Sequence, residues 1–333
     1  MEARVEALRA LGVDVRLVAN RDPAVHRRVA AKYASLAMSA GRSAVAARLR
    51  GRHVDIVEAH IAYPTGLIAR PAAALLGAPL VLFAHGSDVR DLPTRSRRHA
   101  RLARSTYRSA ALIVANSEFL AGEIGRRCPG VAERVRVLTP GIELERFAND
   151  TTGPREGVLF VGRLIPEKGA DVLIGAMADL AGAAGRLTII GDGPERPRLA
   201  ALAADLGVDL DLRGNVGRVE VARAMGRAAV VAVPSVYAEP LGLVALEAMA
   251  SGAVVVASAT GGLVETVLDG STGVTAPPGD REGLAAALAR AAHLASDPTA
   301  GGAMLAAART MAERHDVARA ARDSLAWYGT LRR

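Results

Sequence analysis

Residues 234–252 read Pro-Ser-Val-Tyr-Ala-Glu-Pro-Leu-Gly-Leu-Val-Ala-Leu-Glu-Ala-Met-Ala-Ser-Gly, and the fold is decided here. The stretch follows an apolar run, Ala229–Val233, of the kind that forms a buried parallel strand. Pro234 and Ser235 end that strand. Glu239-Pro240 predicts a helix entry, an acid at the cap and Pro in the first turn. Leu243, Leu246, Met249 and Ala250 follow at helical spacing, and Gly252 closes the helix. Two acids stand on this element, Glu239 and Glu247. Eight helical residues rise about 12 Å, and the helix N-terminus at Leu241, Gly242 and Leu243 offers free N–H groups and a positive dipole end suited to a diphosphate. Two readings stay open for these residues alone. In one, the acids hold sugar and ribose hydroxyls either side of a pyrophosphate. In the other, they are a capping acid and a solvated acid on an ordinary amphipathic helix.

Outward from this stretch, strand-like runs alternate with helical ones. In the second half strands are expected at 157–161, 186–190, 209–212, 229–233, 253–257 and 273–276. The intervening helices are 168–182, 194–206, 218–227, 240–251 and 261–268. In the first half strands are expected at 13–19, 54–59, 79–84, 111–115 and 134–138, after a first helix at 2–11. Residues 95–109 predict a basic helix, and 281–296 and 302–332 further helices. Strand–helix alternation in both halves predicts an α/β protein of two doubly wound, Rossmann-like parallel-sheet domains. Residues 142–156 lack apolar periodicity and are expected to link them, giving domains 1–150 and 151–311. The terminal helix, from about 312 to 333, carries Val317, Ala320, Leu325, Trp327 and Tyr328, and is expected to pack back on the first domain.

Composition bounds the function. The 333 residues are 50% apolar but only 3% aromatic, so Ala, Val and Leu build the core. No apolar run is long enough to span a membrane, and residues 1–20 lack the apolar core of a signal peptide. The single cysteine, Cys128, excludes an internal disulfide, which points to a reducing, cytoplasmic setting. Of the net charge of +8, residues 1–150 carry +10 and residues 151–333 carry −2. The densest basic run is Arg95 to Arg108. No nucleic-acid recognition motif or aromatic platform accompanies it, so an anionic membrane surface or an acidic acceptor is the better partner. A solvated helix face in an Arg-rich protein remains the plain alternative.

Ligands of open parallel sheets collect at the carboxyl ends of strands. Those ends here carry His60, His85-Gly86-Ser87-Asp88, Gly162-Arg163, Gly191-Asp192-Gly193-Pro194 and Thr260-Gly261-Gly262. In Gly162-Arg163-Leu164-Ile165-Pro166-Glu167-Lys168-Gly169 two cations share one loop, which suits a diphosphate leaving group. The plain alternative is a charged turn with Glu167 pairing one cation. Only Lys32 and Lys168 are lysines among 42 basic residues. There is no Gly-x-x-x-x-Gly-Lys-Ser/Thr loop, and no Cys/His/acid spacing for a metal site. His26, His53, His99, His293 and His315 read as surface residues.

These residues together resemble the retaining family-4, or group 1, glycosyltransferases. The resemblance runs through Ala59-His60-Ile61-Ala62-Tyr63-Pro64, His85 to Asp88, Pro140-Gly141-Ile142 with Phe147, Gly162-Arg163 with Glu167-Lys168-Gly169, Gly191 to Pro194, the Glu239–Glu247 pair, and Gly261-Gly262 with Glu265. The His60 and His85 stretches are similar to enzymes of surface-polysaccharide synthesis, including the teichuronic acid type. The resemblance implies a GT-B fold with domains facing a cleft. It implies a nucleotide-sugar donor, a glycan, lipid-linked or small-molecule acceptor, retention of anomeric configuration, no cofactor and no required metal. It places Arg163 and Lys168 on the pyrophosphate and Glu239 on sugar hydroxyls, with His85 near the reacting centre. Gly86, Gly162, Gly193, Pro194, Leu241, Gly242, Leu243 and Glu247 fall on the donor side, and His60 and Asp88 on the acceptor side. Leu241 stands where the family usually has Phe, and Glu143 where it usually has Asp. The family's first strand and glycine-rich loop have no counterpart before Glu2. Two other readings follow from this: a sugar-nucleotide-binding protein without transfer activity, and a sugar-nucleotide epimerase of the same fold.

Overall fold

The computed structural model of the chain describes residues 2–19, 29–90, 96–148 and 153–331. His26, Arg95 and the expected linker residues 149–152 lie outside them. The chain divides into two compact units, one of residues 1–140 with 318–333 and the other of 141–317.

The first unit holds a four-stranded parallel sheet in sequence order: β1 (Val57–His60), β2 (Leu80–Ala84), β3 (Leu112–Ala115) and β4 (Val135–Val137). All residues of β2 and β3 are buried, as expected of central strands covered on both faces. Leu82, Ala84, Ile113 and Ala115 face one core with Ala103, Tyr107 and Ile124. Val81, Phe83, Leu112 and Val114 face the other, where Ala320 and Tyr328 of the Val317–Leu331 helix cover them. This period-2 division makes the carboxy-terminal helix part of the first unit.

The second unit holds six parallel strands: β5 (Glu156–Val161), β6 (Leu187–Ile190), β7 (Leu210–Gly214), β8 (Ala228–Val233), β9 (Val254–Ser258) and β10 (Val274–Ala276). Their order is β10-β9-β8-β5-β6-β7, so the direction of winding reverses between β5 and β8. Val158, Phe160, Val230, Ala232, Val254 and Val256 meet the helices at 170–179 and 281–296. Leu159, Val231, Val233, Val255 and Ala257 meet the Leu243–Ser251 helix on the opposite face.

Four expectations are corrected. Residues 13–19 form no strand: β1 is the end strand of its sheet, and this segment pairs with no neighbour that would satisfy a ladder of backbone groups. The boundary falls between Pro140 and Gly141 rather than at 150, because Ile142 and Phe147 are buried in the core of the second unit. The terminal helix of the first unit likewise begins at Val317 rather than near 312. The helix after β8 begins at Leu243, not Pro240. Gly242 has φ 86°, a left-handed conformation that turns the chain into the helix, and Glu239 stands before it on a non-helical segment. Glu239 is therefore no helix cap, and the spacing of the two acids is not a helical rise.

Candidate active site

In the second unit β5 and β8 are neighbours, so the loops at their carboxyl ends meet. Gly169 has φ 68°, and a Cβ there would run into the carbonyl oxygen of Pro234. Val236 N–H donates to the Glu167 carbonyl at 3.0 Å. These contacts seat the 163–169 loop against 234–239 and bring Lys168 to Glu239, where the two form an ion pair. Ser235 Oγ donates to Glu239 Oε1 at 2.8 Å, and Tyr237 OH donates to Oε2 at 2.7 Å. Lys168 Nζ also donates to Tyr237 OH at 3.2 Å and lies 5.2 Å from its ring centre. Glu239 is only 6% exposed, and three donors satisfy its carboxylate, which is what a buried charge requires. Ser235 reads in the sequence only as a strand end, and Tyr237 is marked by no motif. Their signal is alternation about a strand end: 235, 237 and 239 share one side.

The adjoining loops are also drawn together. A Cβ at Gly193 would collide with the Leu164 carbonyl, and Leu164 N–H donates to the Asp192 carbonyl at 2.9 Å. Gly162, Gly193 and Pro194 thus line one rim with Arg163, whose side chain is exposed. Leu241 is buried in the core, so only its backbone is available to a ligand. At Leu243 the helix begins, and its first N–H groups lack intrahelical acceptors.

Glu247 stands apart from that network. It is half-buried on the helix, and its charged neighbours are Arg218, Arg146 and Glu143. Burial pushes its carboxyl up to about 7, against the pull of the two arginines. Glu143 pairs with Arg146 and, at 3.3 Å, with Arg218. Both arginines escape a sequence reading: Arg146 lies inside the Ile142–Phe147 stretch but reads as one more charge of a short helix, and Arg218 opens a helix with no motif about it.

In the first unit, His60 Nδ1 lies 2.8 Å from His85 Nε2, and His60 Nε2 lies 2.9 Å from Glu58 Oε1. Arg4 donates to Glu58 Oε2 at 2.9 Å and to Tyr328 OH at 2.8 Å, and Tyr328 OH donates to the same carboxylate oxygen. Arg4 also donates to Ser324 Oγ at 2.9 Å, and its guanidinium lies over the Phe83 ring. Burial would raise the Glu58 carboxyl, yet the His60 hydrogen bond and the Arg4 charge bring it down to about 2. Burial and the neighbouring His60 ring lower His85 to about 4, against the pull of Asp88.

Asp88 is a clamp for the loop. Its Oδ1 accepts from the N–H groups of His85 and Gly86, both at 3.1 Å. Its Oδ2 accepts from Ala62 N–H at 3.1 Å and Tyr107 OH at 2.8 Å. Four donors occupy this carboxylate, so it orients the His85 loop and the turn after β1. The structure thus joins His60 to His85 and Lys168 to Glu239, each pair within its own unit. Among the described residues no three His, Cys, Asp or Glu side chains converge as a metal site, and no helix is long and apolar enough to cross a membrane.

Residues 3–146 match the Glycosyltransferase Family 4 family, and residues 141–300 match the glycosyl transferases group 1 family. A D-inositol 3-phosphate glycosyltransferase of Saccharomonospora viridis is 40% identical over 206 residues, covering 54% of this chain and 47% of the relative. A Mycobacterium tuberculosis glycogen synthase is 35% identical over 257 residues, covering 70% of this chain and 59% of the relative. The chain therefore spans about half to three fifths of the length of these relatives. Among solved structures, HepE of Anabaena in complex with UDP superposes with TM-score 0.76 at 22% identity, covering 88% of this chain and 82% of that one. Sucrose-phosphate synthase of Thermosynechococcus elongatus does so with TM-score 0.77 at 23% identity, covering 98% and 91%. The fold is GT-B.

Proposed function

By family the chain is a group 1 glycosyltransferase, matched in both halves, and on that premise we propose that it moves a sugar from a nucleoside-diphosphate donor to an acceptor hydroxyl with retention of anomeric configuration. The observation that carries the reading is the Lys168–Glu239 pair, held by Ser235 and Tyr237 at the carboxyl ends of β5 and β8. In this reading Lys168 and Arg163 take the diphosphate oxygens, and the N–H groups at the start of the Leu243–Ser251 helix complete the cradle. Glu239 accepts from sugar hydroxyls, and Glu247 from the ribose.

The transfer is a front-face substitution. The acceptor oxygen bonds to the anomeric carbon on the face from which the diphosphate leaves, the carbon–oxygen bond to the diphosphate breaks, and the hydroxyl proton passes to a leaving phosphate oxygen. Charge accumulates on the diphosphate as that bond breaks, so cations fixed beforehand favour the transition state over the bound donor. These side chains do the work without a metal ion, and EDTA is expected to leave the rate unchanged.

Uridine-diphosphate glucose is the first donor to try, since HepE was crystallised with it. The relatives' names point to a polyol phosphate or a growing glucan as acceptor. A glycan, lipid-linked or small acceptor in surface polysaccharide or glycoconjugate synthesis suits the basic first half. Exposed Arg97, Arg98, Arg101 and Arg108 of the Arg97–Ser109 helix are proposed to meet an anionic membrane at its cytoplasmic face. Melting shifts across UDP-, GDP-, ADP- and dTDP-sugars identify the donor. Transfer by Lys168→Ala and Glu239→Ala then tests the assignment, and near wild-type rates in both would sink it. Donor binding without transfer or donor hydrolysis would favour the binding protein, and conversion of the donor alone to its epimer the epimerase.

A further inference from the structure

The chain from Arg4 to His85 is more ordered than a loop contact needs. Its polarity can be followed bond by bond. Glu58 Oε2 is filled by Arg4 and Tyr328, which can only donate to it. Oε1 faces His60 Nε2 at 2.9 Å. With Arg4 as counter-charge, the carboxylate accepts the His60 Nε2–H, and at about pH 8, where ordinary imidazoles are neutral, that is the ring's one N–H. His60 Nδ1 is then a lone pair, and the only hydrogen available to the 2.8 Å contact is on His85 Nε2. The two ring planes differ by 23° with centroids 5.1 Å apart, the arrangement of an in-plane ring-to-ring hydrogen bond. Phe83 stacks on His60 at 5.0 Å, and Asp88 fixes the backbone of His85. Every degree of freedom that would let His85 choose its own tautomer is taken.

We propose that Glu58 and His60 are positioning residues that hold His85 as the neutral Nε2–H tautomer, leaving His85 Nδ1 with a lone pair to accept a hydrogen bond from a substrate hydroxyl. This rests on the proposed transferase activity and on the place near the reacting centre that the family resemblance implies for His85. The depressed His85 value agrees with a ring kept neutral at working pH. Arg4, Tyr328 and Ser324 act one step further out, so the terminal helix takes part in setting the state of His85.

Glu58→Gln is the informative change because it is isosteric and reverses polarity. The Gln carbonyl oxygen must stay with the Arg4 and Tyr328 donors, which turns its NH₂ toward His60 Nε2. That nitrogen then accepts, His60 Nδ1 carries the hydrogen, and His85 is driven to its Nδ1–H form. The experiment is long-range ¹⁵N–¹H correlation of the histidines in the full chain at pH 8, where ordinary imidazoles are neutral. His85→Gln assigns the signal. The expected result is Nε2–H at His85 in the wild type and Nδ1–H in Glu58→Gln, with kcat/KM for transfer lower by about ten- to a hundredfold, as for one lost hydrogen bond. A wild-type His85 protonated at Nδ1 overturns the proposal, as does an unchanged tautomer in Glu58→Gln, or a reversed tautomer with unchanged kcat/KM. If Glu58→Gln fails to fold, the wild-type tautomer alone decides. No turnover of any nucleotide sugar by the wild type would sink the transferase reading instead, and the tautomer measurement stands independently of it.

Discussion

Each unit has one carboxylate held by several donors, Glu239 buried and Glu58 half-buried, and the two are satisfied in opposite ways. Glu239 is held by near neighbours, Ser235 and Tyr237, and by Lys168 from the adjacent strand end, 71 residues away. Glu58 is held by Arg4 and by Tyr328 of the terminal helix, two residues that bond across a separation of 324. The first network is made by strand ends that a parallel sheet brings together, so it belongs to the proposed donor site. The second needs both ends of the chain in place, so it belongs equally to the stability of the first unit. The physical expectation is that damage to the first appears in the rate with little change in folding, and damage to the second in both.

The largest effect is expected in the first network. Glu239→Ala lowers kcat/KM by about 10²–10³, the scale of one preorganised electrostatic group, while Tyr237→Phe costs about tenfold. Steady-state transfer assays check both, and a Tyr237→Phe loss equal to that of Glu239→Ala would mean the tyrosine has a role beyond holding the acid. In the second network Arg4→Met leaves the half-buried Glu58 carboxylate without its charge partner. Urea unfolding is expected to show a loss of about 3 kcal/mol.

The same carboxylate sets an acid limit. Its folded value, about 2, lies below the ordinary 4.5, so the stability it contributes is present above 4.5 and is lost as pH falls through about 2. The full linkage is about 3 kcal/mol. Urea titrations of wild type and Glu58→Gln between pH 5 and 2.5 check this, since the variant loses that slope. Glu247 has the opposite sign. Its folded value is raised to about 7, so the stability contributed by its protonated form is present below 4.5 and is lost as pH rises through about 7. Ionised, the carboxylate accepts from two ribose hydroxyls through charge-assisted bonds, so donor KM is expected to fall several-fold between about pH 6 and 8. A flat KM profile in Glu247→Gln supports the ribose role, and the same slope in that variant removes it.

The contrast also explains what could be read from the sequence. The strands of the second sheet were legible because continuous apolar runs ending in Gly or Pro mark buried parallel strands. Lys168 and Glu239 were legible because such strand ends converge. Arg4 and Glu58 were not: an Arg on a short amphipathic helix and a Glu in a half-buried strand both look solvated, and only the terminal helix buries them. Arg146 and Arg218 around Glu247 were hidden because each reads as one more surface charge of an Arg-rich chain, and only the fold brings them to Glu143. The cap assigned to Glu239 failed because Gly242, free to take a left-handed φ, moved the helix start downstream. Residues 13–19 have the composition of a strand, but pairing needs a neighbour, which local sequence does not report.

The central claim is that Lys168 stabilises a departing diphosphate in a retaining transfer. The most direct measurement is NMR-followed single turnover of the best-binding α-linked nucleotide sugar by wild type and Lys168→Ala. The account predicts an α-linked product from the wild type and a chemical step slower by about 10²–10³ in the variant. A β-linked product, or a variant that turns over at the wild-type rate, would contradict it.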